Sequence, residues 1–545
     1  MSFSVDLPTT THEQPPAFAS ADECNVWLEK QAPDSPVQLQ AALLRQLNLL
    51  NRFHLPAGER LAIMERLRGP VLATQEENAK RFAGKPLPLA SSEAATFDTC
   101  QSIWNALATG YLHCLAACAS QEPGLREQAS LAAQRALAAL VSAQFDGCRG
   151  GRLPGSAHWR RLHGAYAAAE QAEVARIEVA DEPRMGRNPA TPLATWVEAL
   201  LLHAASLHQL PLRQMAWAAR WARRWAGKVS AHASPPTMST RAIPLCVDLD
   251  SDQPAGYQPS FVAGARFLDT SALRQSLKKR VELLTQGELP KNLQLGEDCT
   301  QPQCQELLIQ LYYHWCKGGT NRRQERRPAS GSCAVIGGIE AIHYYLSGHK
   351  PLVQPGKAMT DTDLRRQREE IATFGQAKSA KMDNFSEQHG YQEERWDVLE
   401  EWHLLDQATT GARITRPADR TGGRFGHGQL VAARTPDAKT QLLGTLRWVM
   451  IDATGALQAG VELIAGKPQP AAVRGTDSEA ARAKYTPAFL LPAVPALEEP
   501  ASIVTPPGVF KRERVLEMLV DQKASQIRLT GIIERGSDFE RATYE

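Results

Sequence analysis

Leu39, Leu43, Leu44, Leu47 and Leu50 recur at three- and four-residue intervals, the spacing that lines up one face of an α-helix. The same period runs through 59–72, 97–118, 127–145, 158–177, 194–207 and 212–226, and again through 270–285 and 303–315. After residue 320 it shortens. Apolar runs bounded by Gly, Pro and Asp appear at 333–338, 399–405, 412–415, 429–434, 442–451, 457–464, 501–504, 515–520 and 526–533. Many short strands at close spacing predict a barrel or sandwich. The switch of period predicts an α+β chain with its two classes segregated. A multi-helix N-terminal portion, loosely spaced like a helical-repeat solenoid, precedes a C-terminal antiparallel β-barrel with a helical insertion at 361–374. By this reading 1–20 is a disordered tail and 21–235 a helical domain. Residues 236–316 form a mixed linker with a short strand region. The barrel occupies 317–480, with its insertion at about 347–395, and 481–545 supplies strands that extend or cap it.

Charge excludes one class of function. Lys and Arg number 61 against 59 Asp and Glu, a net charge of +2, so the surface as a whole is not built to grip a long nucleic acid. The first residues, MSFSVDLPTTTHEQPPAF, carry no basic segment and no apolar run, so no secretory leader is expected. No apolar window approaches the ~20 residues of a membrane span. The ten cysteines include no CxxC pair, and His113, Cys114 and Cys118 share a helical stretch that predicts buried thiols. A cytoplasmic protein is expected. Trp217, Trp221 and Trp225, interleaved with Arg220, Arg223 and Arg224, read as a buried stripe beneath solvated arginines rather than a nucleic-acid face. No HExxH, phosphate-loop or dinucleotide fingerprint is present. Ser332 and Cys333 lack a nucleophile elbow. His203 and His208 are five residues apart and off a shared helical face, and Asp248, Asp250 and Asp252 lie in a turn without other reactive groups. The glycine-rich stretch 421–428 reads as a loop of the barrel. No catalytic set and no metal site are expected.

Two segments carry chemistry. In NRRQERRPASG, Arg322, Arg323, Arg326 and Arg327 form two overlapping R-x-x-x-R pairs at the entrance to the first strand, with Lys317 just upstream. Guanidinium forks hold phosphate oxygens bidentately, match guanine O6 and N7, and stack on base faces. In LLDQATTGARI, Asp406 ends a strand, and an alternating strand resumes after Gly411 at Ala412 and Ile414. A carboxylate there can accept from guanine N1–H and N2–H. Thr409 and Thr410 offer hydroxyls to a phosphate, and Gly411 keeps the turn low for a ligand.

These segments, with GQLVAAR and LLGTLRWVMIDATGALQAGVEL downstream, resemble the PilZ family of cyclic-di-GMP receptors. That family carries an R-x-x-x-R segment, then a [D/N]-x-S-x-x-G strand motif, on a small antiparallel barrel. The later family strands are similar to 444–448 and 460–463 here, and the resemblance covers 317–474. It implies that the arginines contact guanine and phosphate while Asp406, with Ala408, Thr409, Thr410 and Gly411, holds the second face of the ligand. Trp448 is expected in the barrel core in preference to a ligand platform. The chain departs from the pattern where Ala408 replaces the motif serine, with Thr409 offset to the other side of a regular strand. It departs also in the 406 − 327 = 79 residues between the motifs. A large helical portion ahead of a divergent PilZ domain is similar to the FimW-type receptors connected with type IV pili and surface attachment. The resemblance implies a non-enzymatic cytoplasmic receptor that binds cyclic-di-GMP, needs no other cofactor, and signals through its helical portion to a protein partner, with recruitment to a cell pole. The competing expectation is a structural adaptor whose barrel has lost nucleotide binding.

Overall fold

The computed structural model describes residues 6–31, 35–119, 126–186, 188–235, 244–258, 261–318, 326–354, 365, 368–369, 399–438, 440–476 and 484–545. The chain divides into two compact units, Met1–Lys85 with Leu89–Asn321, and Pro86–Pro88 with Arg322–Glu545.

The first unit is helical. Its helices are α1 (Ala21–Glu29), α2 (Pro36–Leu50), α3 (Ala57–Ala79), α4 (Ser91–Ala119), α5 (Ala129–Arg149), α6 (Ser156–Gln171), the single turn α7 (Glu182–Met185), α8 (Pro192–Ala204), α9 (Leu212–Trp225), α10 (Ser271–Thr285) and α11 (Gln303–Cys316). Local chemistry starts several of them. Ser20, Ser35 and Thr191 each accept from the backbone N–H three residues on, which satisfies a donor the first turn would otherwise leave open. Small residues bring helix axes close. Gly110 of α4 faces Met64 of α3 so tightly that a Cβ there would lie 2.4 Å from the methionine methyl.

Two short strands, β1 (Val179–Ala180) and β2 (Pro189–Ala190), pair with each other, and β3 (Ser230–His232), β4 (Leu245–Asp248) and β5 (Ala265–Asp269) form a sheet of order β3-β5-β4. The stretch read from sequence as a mixed linker is integral to this unit. Leu245, Val247, Leu268, Leu273, Leu277, Leu308 and Trp315 are all buried in the helical core. Trp315 Nε1 donates to the Leu201 carbonyl at 2.8 Å. The tryptophan stripe of α9 is buried as its period requires, at 1% exposure or less. Its arginines are paired rather than merely solvated: Arg220 with Asp298, Arg223 with Glu198, and Arg224 with Gln294. All ten cysteines are free and buried. Among the described residues no helix is long and apolar enough to cross a membrane.

The second unit is built from β6 (Arg327–Pro328), β7 (Ser332–Gly337), α12 (Ile339–Leu346), β8 (Leu399–Ala408), β9 (Gly411–Pro417), β10 (Leu430–Arg434), β11 (Leu442–Ile451), β12 (Ala456–Leu463), β13 (Gln469–Gly475), β14 (Thr486–Leu491), β15 (Ser502–Thr505), β16 (Val515–Val520), β17 (Lys523–Arg535) and β18 (Glu540–Tyr544). Antiparallel pairings run β7-β8-β9-β12-β11-β10 and return to β7, so these strands close a barrel. β6 lies along the length of β8 that β7 leaves uncovered. Inside one end, Glu400 and Arg416 form a buried ion pair at 3.0 Å. The guanidinium stacks over Trp402 at 5.2 Å and also donates to the carbonyl of Gly423. The glycine-rich loop is thus a barrel closure, as its sequence suggests. The expected helical insertion lies almost wholly outside the described residues.

The C-terminal strands neither extend nor cap this barrel. They close a second one, of order β13-β14-β15-β18-β17-β16, which takes β13 from the stretch assigned to the first. The reason is edge chemistry. Each strand of the first ring has a neighbour on both sides, and the remaining strands satisfy their backbone groups by closing on themselves. Ala471, Val473, Ile503, Leu516 and Leu529 fill the second interior. A further core joins the two rings: Ile336, Ile342, Leu430 and Leu443 from the first side meet Phe489, Leu491, Val504 and Phe539 from the second, with α12 among them.

Candidate functional site

Asp406 is set by a defect in its strand. Leu404 of β8 lies opposite Ile414 of β9, but the next pair is Asp406 with Arg413, so Leu405 is an extra, bulged residue. Strict alternation from buried Leu404 would turn Asp406 into the barrel. The bulge turns it out instead, onto the face that carries Arg413, whose neighbours Ala412 and Ile414 are buried. A second bulge sits on β11. Leu446 opposes Val461 and Trp448 opposes Gly460, which leaves Arg447 extra.

These registers make one row across five strands. Pro328, Asp406, Arg413, Gly460 and Trp448 are successive directly opposed residues, and opposed residues share a face. Trp448 is therefore half-buried on the outer face, not in the core as the sequence alone suggests. Its indole lies flat over Gly460, where a Cβ would come within 2.2 Å of Nε1. Only glycine leaves room for that ring.

Arg326 stands at the head of the row, one residue before β6. Its Nη1 donates to Asp406 Oδ1 at 2.6 Å, and Arg413 Nε lies 2.8 Å from Oδ2. The carboxylate is held between two guanidinium groups and is largely covered, at 16% side-chain exposure. Arg327 opens β6 opposite Gln407 and is exposed. Gln407 in turn donates to Asp437 at 3.1 Å. Arg322 and Arg323 lie outside the described residues.

The hairpin end differs from its sequence reading in one respect. Asp406 does not end its strand, which continues to Ala408 opposite Gly411. Thr409 and Thr410 form the two-residue turn, so Thr409 is an exposed tip instead of the far side of a strand. The Thr410 carbonyl accepts from Leu463 N at 2.8 Å. Gly411 is pressed onto β12, where a Cβ would stand 2.7 Å from the Val461 carbonyl oxygen. Pro328, Arg413 and Gly460 are the members of the row that sequence reasoning did not assign to the site. The signal for Arg413 was a lone arginine at an outward position between two apolar residues. Among the described residues no group of His, Cys, Asp and Glu is arranged to hold a metal ion.

Comparison with known proteins covers nearly the whole chain. Residues 22–236 match the family model for the N-terminal domain of the cyclic-di-GMP receptor FimW. Residues 245–412 match its middle PilZ domain, and 471–545 its C-terminal β-barrel domain. The last match coincides with the second barrel. The cyclic-di-GMP receptor FimW of Pseudomonas aeruginosa (strain PAO1) is 23% identical over 539 residues, covering 92% of this chain and 87% of that protein. With all three domains matched in order along one sequence, the chain belongs to the FimW family of cyclic-di-GMP receptors.

Proposed function

We infer that this protein is a cyclic-di-GMP receptor, and that the outward row headed by Arg326 and Asp406 is where the ligand docks. The observation that carries the reading is the convergence of Arg326, Asp406 and Arg413 on one barrel face with Trp448 at the far end of the same row. Guanidinium groups supply forks for phosphate oxygens and guanine edges. A carboxylate supplies the paired acceptors that guanine N1–H and N2–H require. Without ligand, the one carboxylate is shared by two guanidinium groups, which leaves positive charge on this face. A dinucleotide with two phosphates and two guanines can replace both halves of that pairing, with phosphate taking Arg326 and guanine taking Asp406. Arg327, and Arg322 and Arg323 upstream, would add phosphate contacts by the family resemblance.

Titration calorimetry of the full chain with cyclic-di-GMP tests this reading. Saturable heat is expected. No heat at tens of micromolar ligand overturns it. One observation favours the adaptor reading: Ala408 leaves the hairpin end without the hydroxyl of the family motif. On that reading, recovery of partners from a lysate is indifferent to the nucleotide and to Arg326→Ala. Relay to a protein partner through the helical unit, in surface attachment or type IV pilus-linked motility at a cell pole, is the role that the family resemblance supports. Nothing in the site requires the protein to act as an enzyme.

A further inference from the structure

Cyclic-di-GMP carries two guanines, and Asp406 can serve one of them. The same outer face holds a further carboxylate between an arginine and the indole. Beside the row of Pro328, Asp406, Arg413, Gly460 and Trp448 runs another, in which Ala408, Gly411, Glu462 and Thr445 are successive directly opposed residues. Glu462 follows Gly460 by two positions on β12, with buried Val461 between them. It therefore stands outward, next to the glycine under the Trp448 indole. Its neighbours across the sheet are Gly411 on β9 and, beyond it, Ala408 on β8. These small residues leave a low floor between Asp406 at one end and Glu462 at the other.

The bulge in β11 supplies the partner. Arg447, the extra residue, donates through Nε to Glu462 Oε2. Its Nη1 lies 3.0 Å from Oε1 of Glu534, which reaches over from β17 of the second barrel and also accepts from Thr445 Oγ1 at 3.3 Å. The two clusters are opposite in balance. At Asp406 one carboxylate serves two guanidinium groups, so N–H groups are left over for phosphate oxygens. At Arg447 one guanidinium serves two carboxylates, so acceptor oxygens are left over for a donor. Glu462 is 52% exposed against 18% for Glu534, and it is the carboxylate that an incoming group can reach.

Guanine fits that surplus. Its N1–H and N2–H are adjacent donors that one carboxylate accepts together, and its face stacks on an indole. Adenine turns a bare N1 acceptor toward the same carboxylate, which leaves both groups unpaired. We propose that Glu462, held by Arg447 beside Trp448, is a second guanine subsite, so that the face reads both bases of one cyclic dinucleotide, one at Asp406 and one at Glu462. This rests on the reading of the face as the cyclic-di-GMP site and adds the group that recognises the base at its far end. Glu534 fixes Arg447 from the other ring, and the C-terminal barrel thereby supports the subsite.

The test is calorimetry of the full chain with cyclic-di-GMP and with the mixed 3′,3′-cyclic GMP–AMP, which share one backbone. The mixed nucleotide can still give its guanine to Asp406 and must then offer adenine to Glu462. Wild type should bind it about tenfold more weakly than cyclic-di-GMP, the discrimination of one paired base contact. In Glu462→Gln that preference should shrink to about twofold, the statistical factor of two productive orientations against one, because cyclic-di-GMP loses affinity and the mixed nucleotide does not. Equal affinity of wild type for the two, within that factor, overturns the second subsite and leaves the first in place. This wild-type comparison stands whether or not the variant folds. A Glu462→Gln chain that keeps the wild-type preference also overturns the second subsite. No heat from cyclic-di-GMP in wild type overturns the reading of the face itself, and this inference with it.

Discussion

Arg326 Nη1 and Asp406 Oδ1 are 2.6 Å apart although 80 residues separate them in the chain. The contact exists because β6 lies on β8, with Pro328 opposite Asp406. In the unliganded barrel one carboxylate is shared by two guanidinium groups, Arg326 and Arg413, so this face keeps a net positive charge.

Replacing Arg326 by Ala should therefore abolish detectable binding of cyclic-di-GMP in calorimetry. The ion pair is only partly shielded, with side chains 28% and 16% exposed, and such pairs contribute up to about 1 kcal/mol to folding. The thermal transition of the unliganded variant should stay within a few degrees of wild type. A variant that still binds with wild-type affinity would remove Arg326 from the site.

Gly460→Val tests the indole platform. A Cβ at 460 would collide with Trp448 Nε1, and the ring would have to leave the row. We expect a loss of about 1–3 kcal/mol in urea unfolding, the usual cost of overpacking, together with weaker nucleotide binding. Unchanged stability would mean that the indole does not rest on that glycine.

The Glu400–Arg416 pair should behave as a buried ion pair. Arg416→Met leaves the Glu400 carboxylate without its counter-charge beneath Gly423, and such a deletion costs about 3–5 kcal/mol. Combining it with Glu400→Gln should recover most of that loss. A double variant no more stable than Arg416→Met alone would contradict the pairing.

Asp538 gives a pH dependence of defined sign. Burial holds its carboxyl up to about 6, while its oxygen accepts from Leu430 N at 2.8 Å. An unfolded aspartate titrates near ~3.9, so between about pH 4 and 6 the folded state binds more protons than the unfolded one. The contribution of this residue to stability falls as pH rises through that window and is level above it. Asp538→Asn keeps an acceptor and removes the charge. The stability difference between variant and wild type should grow in favour of the variant from pH 4 to pH 6, by on the order of 2 kcal/mol. A difference that is flat with pH would refute the assignment.

Much of this architecture can be read from residue periodicity. The leucine spacing of α2 and the tryptophan stripe of α9 announce buried helix faces, because burial is the only use for an apolar row at that period. The alternating runs after residue 320 announce strands. What alternation cannot express is a residue that breaks it. Leu405 and Arg447 each add one position to a strand, and so turn Asp406 and Trp448 outward against the pattern of their own neighbours. Arg326 and Asp406 were both visible as chemistry, and their contact became visible only when β6 was placed on β8. The separate closure of the second barrel was equally hidden, since β13 alternates no differently from the strands before it; which neighbour a strand chooses is a tertiary property.

The core between the barrels has a consequence for how the chain can be cut or inherited. Leu430, Ala432, Leu443 and Ile464 on the first-ring side are kept dry by Phe489, Leu491, Val504 and Phe539 together with α12. A chain stopped after the PilZ-type ring would present those side chains to water as one apolar patch, a surface that invites self-association. The C-terminal barrel is thus no detachable appendage. Shortened versions that end before β14 should be lost to aggregates, and any gene fusion or deletion that keeps the Arg326–Asp406 face must keep both rings. The two rings stand or fall together.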